Sequence, residues 1–375
     1  MKQKIYLDNN ATTAVDPKVI DLIALNLRSN FGNPSSSHLF GKDARNQLQK
    51  ARDVIAKYFH VTPREIIFTS GATEALNLSI RGLCLNGKTH IISSDVEHAA
   101  VYTTLKSLES ETFSVSYLKV GPYGAPTLEA VKEACQSHTS LIVLMAVNNE
   151  TGVKTDIESI AAFAKAKGIP FIVDGVALLG KEQFTIPEGV SAICFSGHKF
   201  HAPKGIGFAI LRRSLNLKPL LTGGDQEFGL RGGTENMTGI IALAESVCLL
   251  KEVETSSKRM EVLRDRLEVG ILSKLSNVTV NGLGPRVVNT SNLLFKGIEG
   301  ELLMANLDRE GIAVSLGSAC ASGALEPSRV LLKMGLSVDD ASSSLRFSLS
   351  RFTTEEEIDR TIEVVVNIVK RLNPL

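Results

Sequence analysis

The sequence predicts an α/β protein, with a large domain built on a mostly parallel sheet covered by helices and a smaller α+β domain after it. Three observations carry that expectation. From about residue 50 to 215, short apolar runs alternate with helical patterns, as strands joined by helical crossovers do. Beyond about residue 240, a long helical stretch gives way to separate strand-like runs and a closing amphipathic helix. The composition, 375 residues of which 43% are hydrophobic and 22% charged, suits a globular chain long enough for one large core and a second smaller one. The large domain is expected over residues 15–255, and the small one over 256–375 together with the N-terminal segment 1–14.

The elements follow in order. Ile66-Ile67-Phe68 reads as a strand leading to a helix from Thr73, and His90-Ile91-Ile92 as a strand leading to a helix near Val101. Residues 141–146, Phe171-Ile172-Val173 and residues 192–195 are further apolar runs of strand length. Residues 240–275 read as helical and become rich in charge after Lys251. Val278-Thr279-Val280 and residues 288–295, 312–315 and 345–348 are strand-like. The last helix carries the strongest signals: Thr353 with Glu356 as a capping box, then Ile358, Ile362, Val365, Val369 and Leu372 as one apolar stripe, with Lys370 and Arg371 complementing the dipole at its end. That stripe reads as core and is assigned no function.

A net charge of +1, from 41 basic and 40 acidic residues, gives no electrostatic case for nucleic acid or an anionic membrane. The first apolar stretch is too short for a signal sequence, and residues 141–147 fall well short of the ~20 that span a bilayer, so the cytoplasm is the expected location. Five cysteines (84, 135, 194, 248 and 320) are odd in number and without CxxC spacing, which argues against a disulfide framework and against zinc. The expected partners are small molecules and proteins.

The chemistry begins at Lys199, in Ser196-Gly197-His198-Lys199, after a short apolar strand and 25 positions beyond Asp174, which ends another. A lysine that holds an aldehyde needs a deprotonated amine, and a pyridine cofactor needs a carboxylate to keep its ring nitrogen protonated. The pair therefore points to pyridoxal 5'-phosphate. Ser70-Gly71-Ala72-Thr73-Glu74 joins a strand to a helix and offers backbone N–H groups and the Thr73 hydroxyl as a phosphate cradle, although a plain helix cap has the same pattern. His98 follows the Ile91 strand, where an imidazole can lie flat on a planar ring or simply cap a helix. Asn148-Asn149-Glu150-Thr151-Gly152 closes another strand with polar groups that suit a phenolic oxygen, or a turn. Five glycines among residues 223–236 make a shaped loop, and its Gln, Arg, Thr, Glu and Asn suit binding better than solvation. Cys320 sits among small residues with little to pack, as an exposed candidate nucleophile on a mobile loop, whereas Cys84, Cys194 and Cys248 fit buried apolar faces. Arg346 alternates with apolar Leu345 and Phe347, and so points away from their face, toward a substrate carboxylate or into a surface ion pair.

Together these residues resemble the cysteine desulfurase family of fold-type I pyridoxal-phosphate enzymes, in the class V aminotransferase superfamily. The resemblance runs from Tyr6-Leu7-Asp8-Asn9-Asn10-Ala11-Thr12-Thr13 to Arg351-Phe352-Thr353 and includes Asn30-Phe31-Gly32-Asn33-Pro34, Phe68-Thr69-Ser70-Gly71-Ala72-Thr73-Glu74 and Ser318-Ala319-Cys320 with Leu325-Glu326-Pro327-Ser328. The long stretch of small residues around the cysteine is similar to the NifS/IscS-like subgroup. The resemblance implies that Lys199 holds the cofactor, Asp174 pairs its ring nitrogen, His98 stacks on it and aids proton transfer, and Asn149 approaches its phenolic oxygen. It implies that Ala72, Thr73, Ser196 and His198 line the phosphate, that Thr234 reaches the phosphate of the neighbouring subunit in a homodimer, and that Asn33 and Arg346 hold the substrate carboxylate. The implied reaction converts L-cysteine to L-alanine and leaves a persulfide on Cys320, for iron-sulfur cluster assembly or tRNA thiolation through an acceptor protein such as an iron-sulfur scaffold. Two departures stand out: Ala177 replaces a glutamine that usually donates to the phenolic oxygen, and Ala202 replaces a more usual glycine. The rival readings are a related lyase or aminotransferase that does not use the thiol, and a scaffold whose catalysis has decayed.

Overall fold

The computed structural model describes residues 4–83, 89–110, 112–317 and 326–372. The chain opens with β1 (Ile5–Tyr6), α1 (Pro17–Ser29) and α2 (Leu39–Phe59). It continues through β2 (Ile66–Thr69), α3 (Ala72–Gly82), β3 (His90–Ser94), α4 (Ala99–Glu109), β4 (Ser114–Leu118), α5 (Leu128–Ala134), β5 (Thr139–Met145), α6 (Ile157–Lys167), β6 (Phe171–Asp174), β7 (Ala192–Ser196) and β8 (Gly207–Leu211). After α7 (Met237–Cys248) and α8 (Val253–Leu272) come β9 (Val278–Val280), β10 (Thr290–Phe295), α9 (Gly300–Arg309), β11 (Ile312–Ala313), α10 (Arg329–Lys333), α11 (Val338–Ser342), β12 (Ser344–Ser348) and α12 (Glu355–Leu372).

β2 to β8 form one sheet in the order β2-β8-β7-β6-β5-β3-β4, parallel throughout except that β8 runs against both its neighbours. Side chains alternate between its faces, so each strand feeds two cores. Ile66, Phe68, Ile142, Leu144, Phe171, Val173, Ile193 and Phe195 join α2, α6 and α7 on one side. Ile67, Ile91, Leu141, Val143, Ile172, Ala192 and Cys194 join α3 and α4 on the other. A fully buried side chain such as Phe171 or Phe195 contributes about 2 kcal/mol by this burial.

The C-terminal part has a separate core. The antiparallel sheet β12-β10-β9 and the parallel pair β1-β11 pack with α8, α9 and α12 around Leu267, Leu293, Phe295, Leu345, Phe347 and Val365. Ile5 and Leu7 of the N-terminal segment belong to this core, and a bridge from Asp8 to Ser348 continues the pairing.

Every expected strand is present, although the one expected over 312–315 shrinks to β11 plus an isolated bridge at Ser315. The helical stretch after residue 240 is two helices separated by a short 3-10 turn at Leu249–Glu252. The capping box of α12 lies one residue later than expected. Thr354 Oγ1 accepts the Glu357 N–H at 3.3 Å and Glu357 Oε2 accepts the Thr354 N–H at 2.9 Å, while Thr353 Oγ1 accepts the Ser350 N–H. Cys194 is buried as expected, but Cys248 is exposed at the end of α7; Cys84 and Cys320 lie outside the described residues. No helix among the described residues is long and apolar enough to cross a membrane.

Candidate active site

The carboxyl ends of β6 and β7, the start of α4 and the N-terminal segment converge on one cluster, where ligands gather in open α/β sheets. β6 ends in Asp174, which is 5% exposed and whose Oδ1 accepts the Val176 N–H at 3.0 Å. Burial raises its pKa, and His98, the Val176 amide and Lys199 oppose that rise. His98 caps α4, and its Nδ1 accepts the Ala100 N–H at 3.1 Å. Burial lowers its pKa against the pull of Asp174. A neutral ring whose Nδ1 accepts carries its proton on Nε2.

Lys199 ends a short 3-10 turn, Gly197–Lys199, directly after β7. Its Nζ donates to the carbonyls of Asn10 at 2.5 Å and Ala11 at 2.9 Å. Burial first, then Arg346, pulls its pKa down to about 8, with Asp174 and Asp8 opposing. A large share of such an amine is neutral in mildly alkaline solution, as a nucleophilic lysine requires. The N-terminal segment also fixes the turn itself. Thr13 donates through both N–H and hydroxyl to the His198 carbonyl, at 2.9 and 3.0 Å, and His198 Nδ1 lies 3.2 Å from Thr12 Oγ1. Burial and Lys199 hold His198 down to about 4, so it is neutral near pH 7.

Two buried ionisable groups behind this cluster were not foreseen as parts of it. Lys181 is 2% exposed, donates its Nζ to the Lys199 carbonyl at 2.9 Å, and is pulled down to about 7 by burial and by Lys199. Glu97 is fully buried and pushed up to about 8 by burial; its Oε1 accepts the Ser94 hydroxyl at 2.6 Å and its Oε2 has no partner among the described residues. Neither position carries a local pattern that marks it, since only the fold brings them behind Lys199 and Asp174.

Residues 70–74, expected as a phosphate cradle, form the start of α3. Gly71 is the cap of α3 and provides no side-chain bond, while Glu74 accepts the Ser70 N–H at 2.8 Å and the Arg231 Nε–H at 2.9 Å. Ala72 is buried, Thr73 is exposed, and Ser196 stands at the end of β7, its Oγ 3.6 Å from where a Cβ on Gly71 would lie. β8 passes this turn so closely that a Cβ on Gly207 would lie 2.7 Å from the Gly71 Cα, so only glycine fits there.

Arg346, 2% exposed in β12, comes from the other sheet. Its Nη2 donates to Asp8 Oδ1 at 2.7 Å and its Nη1 to the carbonyls of Asn149 at 2.9 Å and Gly317 at 3.4 Å; its buried Nε has no partner among the described residues. The pair is therefore more than a surface contact: the Arg346 side chain is buried, while Asp8 is partly exposed. The Asn149 carbonyl also accepts from Asn10 Nδ2 at 3.1 Å, which ties the three segments together. Asn33 and Thr234 are not part of this cluster. Asn33 is exposed and its Oδ1 accepts the Ser35 N–H at 2.9 Å, and Thr234 is exposed on the loop before α7. Ala177 is half-buried and packs on the large core, and Ala202 is fully buried.

Residues 5–361 match the aminotransferase class-V family. A cysteine desulfurase from Nostoc sp. is 45% identical over 376 residues, covering 99% of this chain and 94% of that protein. Among solved structures, a NifS-like protein has a TM-score of 0.91 at 34% identity, covering 99% of this chain and all of its own. SspA in complex with cysteine has a TM-score of 0.82 at 32% identity, covering 94% of this chain and all of its own. A family match over almost the whole length, on a site with a buried carboxylate, a neutral imidazole and a lysine of lowered pKa, makes the chain a member of the aminotransferase class-V family.

Proposed function

We propose that the protein is a pyridoxal-phosphate-dependent cysteine desulfurase, converting L-cysteine to L-alanine and leaving the sulfur as a persulfide on Cys320. The observation that carries the reading is the convergence of Asp174, His98 and Lys199 beside Arg346, within a chain 45% identical to a cysteine desulfurase from end to end. The donor set fits the cofactor. A buried carboxylate that keeps one short backbone bond suits a protonated ring nitrogen, and the Gly71 turn, free of any side-chain cap, suits a phosphate. Lys199 would anchor the cofactor, His98 would cover its ring, Ala72, Thr73, Ser196 and His198 would line its phosphate, and Asn149 would meet its phenolic oxygen. When bound, the cofactor supplies an electron sink that acidifies the substrate Cα–H and weakens its bond to sulfur.

The chain's own residues do the remaining work. The Arg346 guanidinium fixes the substrate carboxylate and so orients Cα toward Lys199. The Lys199 amine, lowered to about 8, takes the Cα proton and returns it, and His98 supports that transfer from its Nε2 side. The Cys320 thiol gains an S–S bond as the substrate C–S bond breaks, so one cysteine and one thiol become one alanine and one persulfide. The acceptor of that sulfur is proposed to be a protein such as an iron-sulfur scaffold, with cluster assembly or tRNA thiolation as its use. The large domain is proposed to span residues 15–255 and the small one 256–375 with 1–14, in keeping with the separate cores.

The working form is proposed to be a homodimer in which the partner subunit's Thr234 reaches the cofactor phosphate. Exposed Leu25, Leu27, Phe31, Leu39 and Phe40 around the end of α1 and the start of α2 offer an apolar surface of the kind a second copy covers. The reading is tested by loading the protein with pyridoxal phosphate and supplying L-cysteine with a thiol reductant. Alanine and sulfide in equal amounts, both lost in Cys320→Ser, are expected. Pyruvate and ammonia instead of alanine would make it a lyase.

A further inference from the structure

The loop that carries Thr234 is held by a buried device at its base, while Thr234 itself is exposed. Glu227 is 5% exposed, and its carboxylate receives both arms of Arg52, itself 3% exposed, at 2.7 and 3.0 Å, together with the Phe68 N–H at 2.8 Å. Arg52 also donates to the Ile66 carbonyl, and its guanidinium lies between the rings of Phe68 and Phe228, 4.7 and 4.9 Å from their centroids. Arg52 sits on α2, and Ile66 and Phe68 on β2, so the loop is clamped to the strand that leads into the Gly71 turn. The clamp holds the backbone where it would not rest unaided. Glu227 and Phe228 are consecutive non-glycine residues at φ 48° and 60°, in the left-handed region that L-residues avoid.

The rest of the loop closes on this anchor. The Gly232 N–H donates to the Leu221 carbonyl and the Gly233 N–H to Gln226 Oε1, at 2.9 and 3.0 Å, and Gly232 lies so near Gly223 that a Cβ would come within 2.9 Å of its Cα. Arg231 adds the bond to Glu74 at the start of α3. A buried ion pair contributes little net stability compared with apolar side chains of similar size, so its presence under a strained loop points to positioning. A loop fixed in advance also loses less freedom when its tip meets a ligand.

We propose that Arg52 and Glu227 are positioning residues for the phosphate contact across the dimer. Their buried fork fixes residues 222–236 so that Thr234 is delivered to the neighbouring subunit's cofactor. The inference rests on the dimeric reading above, and its effect belongs to the site of the other subunit, not to the site of the chain that carries the pair.

Mixed dimers test this, made from two differently tagged chains and purified through both tags. In the first arrangement one chain carries Arg52→Met with Glu227→Leu, and the other carries Lys199→Ala. The live lysine is then served by an intact loop, and wild-type affinity for pyridoxal phosphate at that site is expected. In the second arrangement all three substitutions are on one chain beside a wild-type partner. The live site is then served by the altered loop, and about tenfold weaker cofactor retention is expected, as for a displaced hydrogen bond. Equal retention in the two arrangements would overturn the proposal. Should the apolar pair not fold, Glu227→Gln, which keeps the side-chain shape, is read in the same two arrangements with the same expected asymmetry. Thr234→Ala, placed likewise, tests the underlying reading separately: an asymmetry there with none for Arg52 and Glu227 rejects the clamp alone, and a monomeric wild-type protein rejects the dimer itself.

Discussion

The proposed cofactor side and the proposed substrate side of the site are built by opposite means. Asp174, His98, Ser196 and Lys199 sit at strand ends and turns around a mostly parallel sheet, and Asp174 and His98 each accept one local backbone N–H. Lys199 Nζ meets only the backbone carbonyls of Asn10 and Ala11. Arg346 comes from an antiparallel strand of the other sheet and is already engaged, by Asp8 on one arm and by two carbonyls on the other, with only Nε unpartnered among the described residues. On the proposed reading, a substrate carboxylate would take the place of Asp8 on Arg346, whereas the groups proposed for the cofactor are already held by the strand ends and turns.

Lys199→Ala should break the comparison most severely. Turnover should fall by about a thousandfold or more, because the tether and the base are lost together, while the fold survives since the amine contacts only carbonyls of the N-terminal segment. Steady-state kinetics with a circular-dichroism melt check this, and turnover within tenfold of wild type would move the base elsewhere. Arg346→Lys should leave cofactor content unchanged and raise KM for cysteine by about ten- to a hundredfold, because an ammonium cannot fork onto a carboxylate. An equal loss of bound cofactor would show that the two sides are not separate.

Asp8→Asn sharpens the exchange itself. With the competing charge removed and a carbonyl oxygen kept near Nη2, KM should fall a few-fold while cofactor affinity holds. A rise in KM would mean that Asp8 orients Arg346 and does not compete. The smallest effect is expected at Ala177. A phenolic oxygen deprived of one donor loses about 1 to 3 kcal/mol unless another group replaces it. The Asn149 side chain makes no hydrogen bond among the described residues, and it is the group proposed to replace that donor. Ala177→Gln should therefore improve cofactor retention modestly, and an unchanged dissociation rate would assign the role to Asn149.

The sequence was most legible where chemistry and secondary structure coincide. Asp174 and Lys199 could be found because each follows a short apolar strand, and the structure brings them together as that placement requires. β4 was missed because Ser114-Val115-Ser116-Tyr117-Leu118 is a half-exposed edge strand with serines between its apolar residues, and β8 because its first residue belongs to the glycine-rich stretch after Lys199. α1 and α2 were not read as elements, although α2 buries Ala44, Leu48, Ala51, Ile55 and Phe59 at helical spacing. The cap of α12 was misplaced by one residue because Thr353 and Thr354 are both followed three positions later by glutamate. Asp8 against Arg346 and Arg52 against Glu227 were invisible, since each pair lies far apart in the chain and only the fold joins them.

In the proposed reaction, sulfur leaves the substrate for Cys320 while the rest of the molecule becomes alanine. One turnover without reductant tests it most directly, by quantifying alanine and measuring the mass of the proteolytic peptide that contains Cys320. One alanine per loaded site and a mass gain of one sulfur atom on that peptide, absent in Cys320→Ser, are expected. Alanine formed with no mass gain at Cys320, or formed unchanged in Cys320→Ser, would contradict it.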